Sequence, residues 1–218
     1  MKSLLAVTAV ATLLAGCAGQ QGVQKDMSAF RAAPPRSILV VPIANKSLDV
    51  DAPNYVLATL PIPLAEKGYY VFPVNTAKVI LEQEGLYEGD RVHQEPPEVL
   101  AKLFDADAVL YVTINRWDAQ YAIITTTVTV EFDYKLVNRD GTVIWDNRKT
   151  MQYSPQSSNS GSAIAILIAA AINAAITRAA PNYMPLAKQA NSQALSQGPN
   201  ALPDGPYRVP IEQGKTQR

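Results

Sequence analysis

The sequence predicts an α/β fold of the α+β kind, a single three-layer domain in which helices cover the faces of a mixed β-sheet. Short apolar segments of strand-like composition alternate with helical segments between residues 37 and 104. Three strand-like segments then follow one another directly as a meander, and an Ala/Ile-rich helix comes after them. Alternation favours parallel strands joined by helices, whereas a meander favours antiparallel neighbours, so we expect a mixed sheet.

The alternating half begins with a buried strand. Ser37 to Ile43 is a continuous apolar run, which is typical of a strand covered on both faces. Asn54 to Lys67 has apolar residues at helical spacing, but Pro61 and Pro63 each lack an N–H, so we expect a kink or two helical pieces there. Tyr69 to Pro73 is the second predicted strand.

Two more helices are predicted before the meander. Asn75 is a capping residue for a helix that runs to about Glu84. The pair Pro96-Pro97 opens the next helix. Its predicted apolar stripe consists of Val99, Leu100, Leu103 and Phe104.

The meander is predicted from residues with strong β propensity. Its strands are expected at Asp107 to Trp117, Gln120 to Val137 and Thr142 to Tyr153, with a hairpin turn at Asn138 to Gly141 whose tip is Asp-Gly. If the threonine-rich face of the second strand lies at an edge, it can pair with another chain. A loop rich in Ser, Asn and Gly then leads from Ser154 to Ser162.

The segment from Ala163 to Ala180 is predicted to be an Ala/Ile-rich helix that is apolar around nearly its whole circumference. Such a helix must be buried on several sides. It either packs on the sheet beneath a neighbouring element or uses its outer side to join a second subunit or a partner. Membrane insertion is less favoured because Asn173 and Arg178 interrupt the run. The residues predicted for an interaction are Ile164, Ile168, Ile172 and Ile176.

The amino terminus has the order of a secretory signal peptide, with a charge at Lys2 followed by an apolar run. Residues 14 to 17 resemble the bacterial lipobox, in which a small pair precedes the acylated cysteine. We therefore predict Leu14, Ala15 and Gly16 as the signal-peptidase motif and Cys17, the only cysteine in the chain, as the lipidation site. The resemblance implies a covalent diacylglycerol and an N-acyl chain on Cys17, and no other cofactor.

The chain is predicted to have four parts. Residues 1–16 are the signal peptide, 17–36 a lipidated tether rich in Gln, Gly, Ala and Pro, 37–197 the mixed α/β domain, and 198–218 an extended Pro/Gly-rich tail. A second short helix is expected between Pro181 and about Gln197. Ala18 and Gly19 follow the cysteine without the aspartate that retains lipoproteins in the inner membrane, and this resemblance points to the outer membrane.

Composition and charge argue against nucleic acid as a partner. The chain has 19 Lys and Arg against 19 Asp and Glu, so it lacks the basic excess that phosphate-backbone binding requires.

Catalytic and metal-binding residue sets are sparse, so we predict no enzyme, no catalytic residues and no metal site. His93 is the only histidine, and no Gly-x-Ser-x-Gly elbow accompanies it. Asp105 with Asp107 could act as paired carboxylates, but both lie at a predicted strand start. An acidic stretch is better explained as a solvated face than as a calcium site, and it comprises Glu82, Glu84, Glu88, Asp90 and Glu95.

Four short motifs resemble a family of Gram-negative outer-membrane lipoproteins of unknown function that includes a meningococcal surface lipoprotein. They are Arg36 to Pro42 followed by Asn45, Gly68 to Pro73, Asp107 to Tyr111, and the tail Leu202 to Tyr207. One position departs from the family, because Arg208 follows the tail tyrosine where a histidine is expected.

The order of strands and helices is also similar to periplasmic domains of the curli-secretion lipoprotein, the penicillin-binding-protein activator lipoprotein and the Tol-system propeller protein. Those relatives act by protein contact. We therefore predict a non-catalytic envelope protein, lipid-anchored in the outer membrane, that acts in assembly or transport through other envelope lipoproteins, secretion components or copies of itself. The alternatives are a cell-wall hydrolase that uses acidic residues and a carrier of small hydrophobic ligands.

Overall fold

The computed structural model describes residues 25–121, 126–154 and 183–209, together with Ala170. The helices are α1 (Ser28–Ala32), α2 (Ala52–Thr59), α3 (Pro61–Glu66), α4 (Val74–Gln83), α5 (Gly89–Val92), α6 (Pro97–Phe104) and α7 (Met184–Ser196). The strands are β1 (Ser37–Val40), β2 (Ala44–Asn45), β3 (Tyr70–Val71), β4 (Ala108–Tyr121), β5 (Thr126–Asn138) and β6 (Val143–Tyr153).

The six strands form one mixed sheet, as the sequence predicts. The strand order is β3-β1-β4-β5-β6, and β2 pairs with β4 beyond the end of β1. The strands β3, β1 and β4 are parallel, whereas β4, β5 and β6 form the antiparallel meander. Because β5 pairs with both β4 and β6 from Val128 onward, Thr129 does not lie at an edge, and the condition for pairing with another chain is not met there.

Helices cover both faces of the sheet, which confirms the three-layer prediction. Ile38 and Val40 of β1 belong to the core beneath α1, α2, α3 and α7. Leu39 and Val41 belong to the opposite core, beneath α4, α5 and α6. Successive side chains of a strand point to opposite faces, so a run that is apolar at every position fits a strand covered twice.

The predicted break in the first helical segment is confirmed. The helix α2 ends at Thr59 and α3 begins at Pro61. Proline is tolerated at the first position of a helix, where its missing N–H would have no partner. Gly68 follows α3 with φ +87°, a left-handed conformation that glycine adopts without strain.

The predicted apolar stripe of α6 was wrong in part. The side chains of Leu100 and Ala101 are buried, whereas Val99 is 56% exposed and Leu103 is 44% exposed. The apolar residues of this helix span too wide an arc to face the sheet together. The small Ala101 lies against the sheet, and Val99 and Leu103 therefore remain on the outer side.

The packed region begins before residue 37, inside the segment predicted as a tether. The helix α1 lies against β6, and its Phe30 is 4% exposed in the core. Lys25 forms an ion pair with Asp146 of β6. A single aromatic residue in a segment rich in Gln, Ala and Pro is too weak a signal to predict this packing from the sequence.

One end of the domain, which we call the base, carries the amino ends of β1, β3 and β4 and the turn between β5 and β6. The described part of the predicted extended tail crosses this base without forming a helix or a strand. The backbone carbonyl of Asn200 accepts a hydrogen bond from Trp145 Nε1 at 3.0 Å. The carbonyl of Pro203 accepts one from the Tyr69 hydroxyl at 2.6 Å.

The described part of the tail includes a close contact between two glycines, Gly205 and Gly68. The N–H of Gly205 donates to the Lys67 carbonyl at 2.7 Å, and a Cβ at Gly205 would overlap the carbonyl of Gly68. Lys67, whose side chain is 10% exposed, pairs with Asp204 at 2.5 Å. Arg208 pairs with Asp204 at 3.5 Å, so the residue that departs from the family pattern also fastens the tail.

The tail contact is testable with Gly205→Ala. The added methyl group must displace the tail from Gly68, so we expect the free energy of unfolding to fall by about 1–3 kcal/mol. Urea denaturation measures this change. The control Ser196→Ala, at an exposed position at the end of α7, should change the free energy of unfolding by less than about 0.5 kcal/mol. Equal stability of the two variants would contradict the contact.

Candidate protein-contact surface

A cleft opens at the carboxyl end of β1, opposite the base. There the chain passes from β1 to β2, with α2 on one face of the sheet and α4 and α5 on the other. The cleft has a volume of about 330 Å³, and its lining includes Ile43, Val50, Asn54, Lys78 and Tyr87. Such crevices at the carboxyl ends of parallel strands are the usual binding places of α/β sheets.

The loop beside this cleft is held in one conformation by its own side chains. Asn45 Nδ2 donates to the Asp49 carbonyl at 2.8 Å. Asn45 Oδ1 accepts hydrogen bonds from the Ser47 N–H at 3.0 Å and from the Ser47 hydroxyl at 2.7 Å. These bonds close the turn on itself, as Asn and Ser side chains commonly do.

The carboxylate of Asp49 attaches the loop to the domain. Its Oδ1 accepts the N–H groups of Asp51 at 2.9 Å and Ala52 at 3.2 Å, at the start of α2. Its Oδ2 accepts Trp117 Nε1 at 3.0 Å. Trp117 is 4% exposed in the core, so the loop is anchored to the interior. The residue directly before α2, Asp51, makes no side-chain capping bond.

The fixed loop displays two apolar side chains to water. Leu48 is 101% exposed and Val50 is 84% exposed, and Tyr87 across the cleft is 66% exposed. We call Leu48, Val50 and Tyr87 the apolar rim. Apolar side chains grouped beside a cleft are typical of protein-contact sites.

Three acidic side chains lie near the apolar rim, and the loop also carries the exposed Lys46. Asp51, Glu88 and Asp90 are exposed. The nearest lysine in the cleft, Lys78, is engaged with Asn54 Oδ1 at 3.2 Å and also pairs with Glu82. The surface therefore favours a partner whose apolar patch has basic neighbours.

His93 supports the cleft from beneath. Its Nε2 donates to the Pro42 carbonyl at 3.1 Å, and its ring packs edge-on against Tyr111. Burial holds the pKa of His93 below its ordinary value; the Pro42 bond and Asp90 oppose this effect, whereas Lys135 adds to it. His93 is thus a half-buried neutral side chain with a structural partner.

His93 makes the domain less stable in acid. Its folded pKa lies below the unfolded value of 6.5. As the pH falls through that value, the unfolded chain takes up a proton that the folded chain does not, so the free energy of unfolding decreases until the folded pKa is passed. His93→Gln keeps a donor for Pro42 and should reduce the drop in urea midpoint between about pH 7 and about pH 5. A drop as large as that of the unchanged protein would contradict this role.

The two carboxylates considered as an acid–base pair, Asp105 and Asp107, have structural partners. Asp107 accepts the N–H groups of Arg36 at 3.0 Å and Ser37 at 3.1 Å. Partial burial alone would raise the pKa of Asp107, but these bonds and the Arg36 charge lower it. Asp105 pairs with Arg139 at 2.8 Å. Both carboxylates therefore fasten the base.

The acidic stretch is spread over separate surfaces. Glu82 pairs with Lys78 and Glu95 with Arg91, while Glu88 lies at the cleft. Within the described ranges, no three His, Cys, Asp or Glu side chains are grouped closely enough to hold a metal ion. None of the described helices is both long and apolar enough to cross a membrane.

Two groups of predicted residues lie outside the described residues. They are Cys17 with its motif Leu14, Ala15 and Gly16, and the interaction residues Ile164, Ile168, Ile172 and Ile176. The last described residues on either side of the Ala/Ile segment, apart from Ala170, are Ser154, directly after β6, and Tyr183. The ring of Tyr183 lies 5.7 Å from that of Trp117, far along β4 from the base.

The apolar rim was not predicted from the sequence. The only sequence pattern at this place is an alternation of apolar and acidic residues. Leu48 and Val50 alternate with Asp49 and Asp51 after a strand, a pattern that a strand with one buried face shares. What distinguishes them is the bond between Asp49 and Trp117, which joins residues far apart in the chain.

The loop's rigidity is testable with Asp49→Ala. The change leaves Trp117 Nε1 and two N–H groups of α2 without their acceptor, so we expect a loss of about 1–3 kcal/mol in the free energy of unfolding. Backbone hydrogen exchange in residues 47–52 should also become faster. Asp51→Ala is the matched control, because that carboxylate is exposed and makes no capping bond. Equal exchange in both variants would show that Asp49 does not hold the loop.

The chain matches a known protein family and a relative within it. Residues 25–207 match the family described as "Putative lipoprotein GNA1162-like". The protein "Putative lipoprotein NMB1124/NMB1162" of Neisseria meningitidis serogroup B is 36% identical over 174 residues, which is 79% of this chain and 80% of that relative.

Solved structures resemble the domain as well. The crystal structure of lipoprotein GNA1162 from Neisseria meningitidis has a TM-score of 0.55 and 36% identity, and the match covers 64% of this chain and 97% of that chain. The PelC dodecamer of Paraburkholderia phytofirmans has a TM-score of 0.46 and 17% identity, with 76% of this chain and 89% of that chain covered.

Proposed function

Because the chain belongs to the GNA1162-like lipoprotein family, we propose that it is a lipid-anchored, non-catalytic component of an envelope assembly that acts through protein contacts. The observation that carries this proposal is the apolar rim, of which Leu48 is 101% exposed and Val50 is 84% exposed on a loop fixed by hydrogen bonds. A surface of this kind binds by burial of apolar area and needs no reacting group.

The anchor in this proposal is a diacylglycerol and an N-acyl chain on Cys17. The lipobox-like residues Leu14, Ala15 and Gly16 directly precede this single cysteine. Two or more acyl chains give stable attachment, whereas one gives only marginal binding. Ala18 and Gly19 carry no retention aspartate, which supports the outer membrane as the destination.

The energetics of the rim suit a specific contact. Burying a leucine or valine side chain contributes about 1.5–3 kcal/mol. Because hydrogen bonds already fix the loop, binding costs little further backbone entropy. Leu48 and Val50 are therefore expected to be the dominant contacts. A segment of the partner is expected to enter the cleft beside them.

The partner in this proposal is an envelope protein with an apolar pocket and a basic edge. Its charge would complement Asp51, Glu88 and Asp90, which are exposed around the rim. Charges at the edge of a contact mainly raise the rate of association and select the partner. A second copy of this chain is a separate outcome that the same experiment reports.

The test is photo-crosslinking in intact cells from a photoreactive residue placed at Val50. We expect one discrete adduct with another envelope protein. Its yield should fall by at least about tenfold when Leu48→Asp is added, since a charge would be buried in the contact. Mass spectrometry identifies the adduct, and an adduct of twice the chain's mass would replace the envelope partner by a second copy.

The matched control places the same photoreactive residue at Val143, which is 47% exposed at the base. This position should give no such adduct. Equal yields at the two positions, or no adduct from Val50, would refute a contact through the rim. In the same cells Cys17→Ser should leave the membrane fraction when Leu48→Asp also removes the rim contact, and retention of this double variant would count against the lipid anchor.

A further inference from the structure

We infer that the base of the domain rests on the phospholipid headgroups of the membrane that holds the Cys17 lipid, with the apolar rim facing away from it. This inference rests on the proposed function in one respect, the lipid on Cys17. It adds an orientation and a second contact surface, whose partner is a zwitterionic lipid headgroup.

The length of chain before the domain limits where the membrane can be. Residues 18–24 are all that separate Cys17 from Lys25. Even a fully extended chain of that length spans at most about 28 Å. Lys25 is already fixed to the domain, because its N–H lies 3.4 Å from Asn200 Oδ1 and its side chain pairs with Asp146.

The base is nearer to Lys25 than the far end of the meander is. Asp146 lies three residues after Val143, where β6 starts at the base, which is a distance of about 10 Å along the strand. The last residue of β6, Tyr153, lies seven residues beyond Asp146, about 23 Å in the opposite direction. The tether is therefore longer than it needs to be for the base to reach the membrane. For the far end of the meander to reach the membrane, the tether would have to be almost fully extended.

The side chains of the base suit the membrane interface. Tyr70 is 52% exposed, Tyr207 is 60% exposed and Val209 is 80% exposed. Tyrosine rings are favoured at the depth of the headgroups, where one end is apolar and the other is wet. Tyr70 and Tyr207 border one shallow hollow with Arg36 and Arg139, whose guanidinium groups match phosphate geometry.

The charges of the base are nearly balanced, which selects the kind of headgroup. Arg36 pairs with Asp107 at 3.6 Å, and Arg139 pairs with Asp105 at 2.8 Å. A surface of paired charges can meet both the phosphate and the ammonium of a zwitterionic headgroup. It has little long-range attraction to anionic lipid, so the contact alone is weak.

The lipid anchor makes the base bind headgroups in spite of its weak affinity for them. A short tether holds the base near the membrane at an effective concentration of about a millimolar or more. A surface with a dissociation constant in that range is therefore occupied only while the lipid is attached.

The experiment uses the full-length lipidated protein in phosphatidylethanolamine and phosphatidylcholine vesicles that contain a headgroup spin-labelled lipid. A fluorescent label is attached to Tyr207→Cys, to Val143→Cys, or to Leu48→Cys, since the acylated Cys17 does not react. Both base labels should lose about half of their fluorescence, as expected for at least half occupancy. The Leu48→Cys label should remain unchanged.

Several outcomes would overturn the inference. Equal quenching at all three positions would mean that the domain has no fixed orientation. Stronger quenching at Leu48→Cys would mean that the rim faces the lipid. Base labels that do not respond would mean that water or another protein covers the base.

A flotation control keeps this inference separate from the proposed function. Unlabelled Cys17→Ser should not float with the vesicles, whereas the lipidated protein should. If the two float alike, the anchor itself is refuted. If only the lipidated protein floats but the fluorescence of the base labels is not quenched, the lipid anchor is supported and the proposed orientation is refuted.

Discussion

The strand β4 is the constraint on which the rest of the fold depends. Its first half pairs with β1 and β2 on one side and with β5 on the other. The backbone N–H and C=O groups of β4 therefore form parallel hydrogen bonds on one side and antiparallel hydrogen bonds on the other. The strand is parallel to one neighbour and antiparallel to the other. Its residues must therefore be apolar on both faces, because both halves of the sheet and both helical layers meet there.

A buried chain of polar groups fixes the helix α7 on this sheet. The Tyr134 hydroxyl donates to Asn191 Oδ1 at 2.5 Å, and Asn191 Nδ2 donates to the Thr59 hydroxyl at 2.7 Å. Asn191 is fully buried, and a buried polar group that loses its partner costs about 1–3 kcal/mol. This chain sets the position of α7 against β5 and α2. Since the tail follows α7 directly, it also determines where the tail meets Gly68.

The sequence predicted the elements whose signal is local and missed those that depend on distant partners. The run from Ser37, the break at Pro61 and the Asp-Gly turn are encoded by consecutive residues, and the structure confirms them. Phe30 and Asp49 act through β6 and Trp117, which are far away in the chain, so no period or motif marks them. The apolar rim became visible only when the fold showed that the side chains of Leu48 and Val50 are exposed.

A register shift divides β4 into two halves that differ in which residues face a given core. Even-numbered residues face the core beneath α2 and α7 before the shift, and odd-numbered residues do so after it. Val112 and Ile114 point into the core beneath α2 and α7, and Trp117 points into the same core although it stands an odd number of residues further on. The extra residue lies between Ile114 and Arg116, where the pairing with β5 shifts. If the strand instead ran straight through Asn115, with no shift in pairing, Trp117 would turn to the opposite layer and its indole would leave Asp49. The bulge is thus a requirement of this contact surface, because it lets two residues at an odd spacing, Ile114 and Trp117, place their side chains in one core.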